Sequence, residues 1–135
     1  MSLLQWNESY SVQVAHIDRQ HQTLFNMINE LHEALRVGQG KGVVGKVLRR
    51  LIEYTESHFK SEEATLEKSG YPELAEHRAL HKALVKKVLD FQKNFEAGNT
   101  GIAIELMEFL QKWLSEHIQN TDKKYTPFLN GKGVR

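Results

Sequence analysis

The chain has 135 residues, a formal charge of +1 and no cysteine. That length suits one domain with its own core, and residues 1–135 are read as such a unit. The missing cysteines exclude disulfides, thiolate metal sites, thiol nucleophiles and cysteine-held iron–sulfur clusters. Its 18 basic and 17 acidic residues are interleaved, which gives no electrostatic reason to expect a nucleic-acid partner. No apolar run approaches membrane-spanning length and no basic, apolar leader opens the chain, so a cytoplasmic protein without membrane insertion is expected.

Residues 1–17 read as an extended arm, with Trp6, Tyr10, Val12 and Val14 available to tie it across a core. Asp18 is read as the N-cap of a first helix over about 18–37, with Leu24, Ile28, Leu31 and Leu35 forming its apolar stripe. Gly38, Gly40 and Gly42 break it. A second helix over about 43–68 carries Val44, Val47, Leu48, Leu51 and Phe59 inward, while Lys46, Arg49 and Arg50 mark a solvated face. Gly70-Tyr71-Pro72 stops it, and Pro72 is placed to open a third helix over about 73–95. There Leu80, Leu84, Val88 and Phe91 share a side. Thr100 is read as the cap of a fourth helix over about 101–124, with Leu106, Leu110, Trp113 and Leu114 inward and a polar tail after it. Four amphipathic helices with short connections predict an all-α, antiparallel up-down-up-down four-helix bundle.

Histidine and carboxylate spacing carries the chemistry. His58 and Glu62 stand four apart on the second helix, and His77 and His81 four apart on the third. That spacing puts each pair on one helix face. His117 follows Trp113 and Leu114 on the inward side, and His21 precedes the stripe of the first helix. Asp122 comes five residues after His117, an imperfect helical match that requires local distortion or a side chain reaching around the axis. Burying this many imidazoles with two carboxylates is costly unless a cation compensates them, and nitrogen with oxygen donors suits iron and other transition ions.

These motifs resemble the hemerythrin family, specifically the single-domain bacterial hemerythrins. The resemblance begins at Ile17-Asp18-x-Gln20-His21 and continues through His58-Phe59-x-x-Glu62, His77-x-x-x-His81 and His117-Ile118-x-x-x-Asp122. It implies two non-haem iron ions joined by an oxo or hydroxo bridge. One iron would be held by His77, His81 and His117, the other by His21 and His58, with Glu62 and Asp122 bridging them. The iron with two histidines keeps an open position, where dioxygen binds as ligand. Leu24, Phe59, Trp113, Leu114 and Ile118 would form the oxygen pocket.

The implied function is reversible dioxygen binding for transport, storage or delivery, without catalysis. The alternatives are a di-iron oxidase or peroxidase, and an oxygen sensor acting through a separate partner. Carboxylate-rich di-iron enzymes use Glu-x-x-His repeats, and none occurs in this chain. With the chain ending soon after its fourth helix, a signalling output or an oxygen-consuming enzyme would be a separate partner. One chain supplies the whole ligand set, so a monomer is expected. His16 and His32 are assigned boundary roles, and Tyr54 and Tyr125 are available for hydrogen bonds behind the ligands.

Overall fold

The computed structural model describes residues 4–135; residues 1–3 of the arm lie outside the described part. Four long helices follow in order: α1 (Ala15–Arg36), α2 (Lys41–Ser69), α3 (Leu74–Glu96) and α4 (Ile102–Glu116). A π-helical turn (His117–Thr121), a 3-10 turn (Asp122–Tyr125) and a short α5 (Thr126–Gly131) close the chain. Neighbours pack as α1 on α2, α2 on α3, α3 on α4 and α4 back on α1, the closed ring of a four-helix bundle. No helix among the described residues is long and apolar enough to cross a membrane.

The apolar stripes explain the ring. Leu24, Ile28 and Leu31 of α1 meet Leu48, Leu51 and Ile52 of α2 in one buried core with Leu84, Val88, Leu106 and Leu110. Lys46, Arg49 and Arg50 face solvent, and Arg50 pairs with Glu30 at 2.8 Å. Leu80 is a correction: it is 43% exposed, because the inward stripe of α3 runs through His77, His81, Leu84 and Val88 and leaves Leu80 on its flank.

The turns stop where the glycines predict. Gly70 adopts φ +76°, its N–H donates to Glu67 O at 3.1 Å, and Tyr71 N–H reaches Leu66 O at 3.0 Å. A side chain at that left-handed position would be strained, so glycine lets the last carbonyls of α2 find donors. The same hydrogen-bond pattern recurs after α1 and α3.

Four expectations about helix ends need correction. Asp18 does not cap α1, which already begins at Ala15 after Val14. Its carboxylate accepts instead from Ser11 Oγ at 2.6 Å and Val12 N–H at 2.8 Å, latching the arm onto the helix. Thr100 makes no cap either; Gly101 precedes α4 without a side-chain cap bond. Pro72 sits in the turn ahead of Leu74 rather than opening α3. The segment after Lys124 folds back as α5, with Tyr125 and Leu129 fully buried.

The arm is tied down as its apolar residues predict. Val12 and Val14 are buried, and Trp6 and Tyr10 both pack on Phe25. Thr126 Oγ1 donates to Val12 O at 2.8 Å, and Asn130 Nδ2 to Gln13 O at 3.0 Å, so α5 and the arm hold each other.

Candidate metal centre

The first three helices and the π-helical turn after α4 deliver histidines or acids to one level of the bundle. His21 comes from α1, His58 and Glu62 from α2, His77 and His81 from α3, and His117 from the start of the π turn. All six are buried, as is Asp122. The five-residue step from His117 to Asp122 is resolved by the backbone: Asp122 N–H bonds to His117 O, one π-helical turn earlier. A π turn spans i to i+5, so the wider spacing returns Asp122 to the face of His117.

The side chains converge with their Nε2 atoms on the two carboxylates. Glu62 Oε1 lies 2.6 Å from His77 Nε2 and 3.3 Å from His81 Nε2, while Oε2 lies 3.4 Å from His58 and 3.5 Å from His21. Asp122 Oδ1 is 2.9 Å from His117 and 3.2 Å from His77, and its Oδ2 is 3.3 Å from His21. His81 and His117 bring their Nε2 atoms within 3.2 Å of each other. Two groups emerge whose ligand atoms lie within 4.8 Å of one another: Glu62, His77, His81, His117 and Asp122, and His21, His58 and Glu62. Glu62 belongs to both.

Charge is held unusually tightly there. Burial favours a neutral Glu62, but the four imidazoles around it override that and hold its carboxyl well below the usual range. Burial and neighbouring Glu62 also oppose ionisation of Asp122, yet His117 and His21 keep its carboxyl ionised. Burial disfavours a charged His21 or His77, but the two acids outweigh it and push these imidazoles up to about 9 and about 10. Burial wins at His58, whose pKa is lowered.

Proton sharing does not satisfy the whole set. Both ring nitrogens of His21 and both oxygens of Asp122 are buried without an aligned hydrogen bond, despite their close approaches. Such orphaned polar atoms are costly. Nitrogen and carboxylate donors pointing at shared points between them are the arrangement that metal cations satisfy. The set therefore fits a pair of transition ions such as iron.

A family model described as the Hemerythrin HHE cation binding domain matches residues 12–129. The chain belongs to the hemerythrin family. Among its relatives, bacteriohemerythrin of Methylococcus capsulatus is 39% identical over 96% of this chain and 99% of its own length. Bacteriohemerythrin of Pseudomonas aeruginosa is 34% identical over 93% of this chain and 80% of its own. A crystal structure of wild-type hemerythrin superposes with a TM-score of 0.89 at 39% identity, covering 95% of this chain and 98% of the other.

Around this hemerythrin-type cluster the aromatic side chains are ordered against the imidazoles. Phe59 stacks flat on His81 at 3.7 Å between centroids, and Trp113 stacks on His117 at 4.2 Å. Leu24, Leu114 and Ile118 are buried in the common core, while Trp113 is half-buried at its edge. Tyr125 donates its hydroxyl to Glu62 Oε2 at 3.1 Å; Tyr54 makes no such contact among the described residues. His16 sits at the boundary with Nε2 3.2 Å from Thr65 Oγ1. His32 is half-buried, its Nδ1 without a partner.

Two residues that the spacing pattern does not single out stand behind the cluster histidines. Gln20 Oε1 lies 2.7 Å from His58 Nδ1, and Glu63 Oε2 lies 2.8 Å from His81 Nδ1. The available signal was positional: Gln20 adjoins His21, and Glu63 adjoins Glu62 on the face turned toward α3.

Proposed function

We propose that this chain binds dioxygen reversibly at two non-haem irons held between its helices, for transport, storage or delivery, and that it does so without catalytic turnover. The observation that carries this reading is the convergence of five histidine Nε2 atoms on two buried carboxylates, one of them shared by both donor groups. His77, His81 and His117 would hold one iron and His21 and His58 the other, with Glu62, Asp122 and an oxo or hydroxo group joining them. Bound there, the iron pair supplies the two electrons and the open coordination position that reversible oxygen binding uses.

The chain's own residues prepare that chemistry. Gln20 and Glu63 accept the Nδ1 protons of His58 and His81, which leaves each Nε2 lone pair directed inward. Tyr125 stays protonated, because burial and the nearby Glu62 and Asp122 charges push its hydroxyl well above 10; it serves as a fixed donor to Glu62. Leu24, Phe59, Trp113, Leu114 and Ile118 give an apolar wall that slows entry of water and anions. That wall offers no proton source for releasing reduced oxygen, which favours reversible binding over oxidase chemistry. A single chain carries all seven ligands, so the unit is proposed to act as a monomer.

Anaerobic loading with ferrous iron is expected to give two irons per chain. His58→Ala should weaken retention of the iron at the His21 end, whereas Asp122→Asn should impair both. A single iron in the unsubstituted protein, or rapid oxygen consumption with added reductant, would overturn this function.

A further inference from the structure

Two imidazoles of the cluster are held from behind by partners of different charge. Behind His81 stands the Glu63 carboxylate, at 2.8 Å from Nδ1; behind His58 stands the Gln20 amide oxygen, at 2.7 Å. The Glu63 position is built. Arg78 Nε donates to its other oxygen at 3.3 Å, and the Glu63 side chain is only 21% exposed. Phe59 lies within 2° of parallel to the His81 ring, so the imidazole cannot swing away from Glu63 without losing that stack. Gln20 is fixed as well: its Nε2 donates to Ser61 Oγ at 3.1 Å, which leaves Oε1 to face His58.

The consequence is electrostatic asymmetry. An anion accepting the Nδ1 proton makes an imidazole a stronger donor through Nε2 and favours the more highly charged metal ion. A neutral amide orients its ring with far less effect on donor strength. Resting on the di-iron reading above, we propose that Glu63 is a positioning residue that makes the iron held by His77, His81 and His117 the more readily oxidised of the two. Oxygen binding at such a pair would call on one electron from each iron. The Glu63 carboxylate behind His81 would ease that loss at the three-histidine end, while the neutral Gln20 amide behind His58 would leave the other end closer to the ferrous state.

Glu63→Gln tests this, because it keeps an acceptor at His81 and removes the charge. In the two-iron protein, a redox titration followed by Mössbauer spectroscopy should show the ferric preference of the three-histidine iron falling about tenfold, a rise of about 59 mV for a one-electron couple. The other iron should be unchanged. Gln20→Glu should act in reverse, lowering the potential at the His58 end. Two irons at unchanged potentials in Glu63→Gln, with only lower stability, would reduce Glu63 to a surface ion pair and overturn the proposal alone. If Glu63→Gln does not load, Gln20→Glu decides, and an unchanged potential there overturns it equally. Fewer than two irons in the unsubstituted protein would instead overturn the function on which the proposal rests.

Discussion

Glu62 carries more of the site than any other residue. Four imidazoles and the Tyr125 hydroxyl surround its carboxylate in a fully buried position. Removing the hydroxyl in Tyr125→Phe leaves one Glu62 oxygen short of a donor. The expected cost is about 1.5–3 kcal/mol, the range for a hydrogen bond to a charged group, read from denaturant midpoints of the metal-free protein. The pH dependence follows from the same cluster. Imidazoles raised from 6.5 to about 9 and about 10 contribute stability that is complete below pH 6.5 and lost as pH rises through those values. The depressed acids contribute stability present above their ordinary range and lost as pH falls toward their folded values. The lowered His58 acts the other way and takes stability away as pH falls below 6.5, so metal-free protein should be most stable at about pH 6.5 and weaken steadily toward pH 10. Denaturant midpoints measured across that range check it; a midpoint that rises with pH there would contradict it. Metal loading at pH 7 should release protons from His21 and His77, and apparent affinity should climb with pH.

At the scale of the element, the π-helical turn is the device that returns Asp122 to the face of His117. Deleting Asn120 would restore a four-residue step and an ordinary helix, with Asp122 drawn one residue closer to His117. The expected result is an intact helical circular-dichroism spectrum with loss of paired metal loading; unchanged two-metal binding would show that the π turn is dispensable. The sequence revealed the mismatch, because five residues do not match a helical repeat, but not its solution. Its periodicity also revealed the four helices and the His and Glu faces, since i to i+4 spacing needs no tertiary information. Asp18 has the residue type of an N-cap and stands ahead of a clear apolar stripe, so its sequence position suggests a cap. Its actual partners, Ser11 and Val12, depend on how the arm folds back. Gln20 and Glu63 were obscured for the same reason, because each acts across an interface between helices. Asp18→Ala should free the arm and cost about 1 kcal/mol per lost bond, with hydrogen exchange accelerated at Val12.

For the whole molecule, the bundle and its cluster stabilise each other. The fold brings seven buried histidines and acids that could hold metal to one level, and cations binding only the folded chain shift the folding equilibrium toward it. Iron loading should raise the midpoint of thermal unfolding, and a chelator should reverse the gain. The arm and α5 close the end of the bundle near Tyr125, a seal that the apparently polar tail does not announce because only Tyr125 and Leu129 of it are fully buried. The central claim concerns oxygen. Iron-loaded protein should be reduced anaerobically and followed by absorption through repeated addition and removal of dioxygen. A charge-transfer spectrum that appears with oxygen and vanishes on its removal over many cycles, at one dioxygen per two irons, is the predicted result. Irreversible oxidation in the first cycle, without an oxygen adduct, would contradict it.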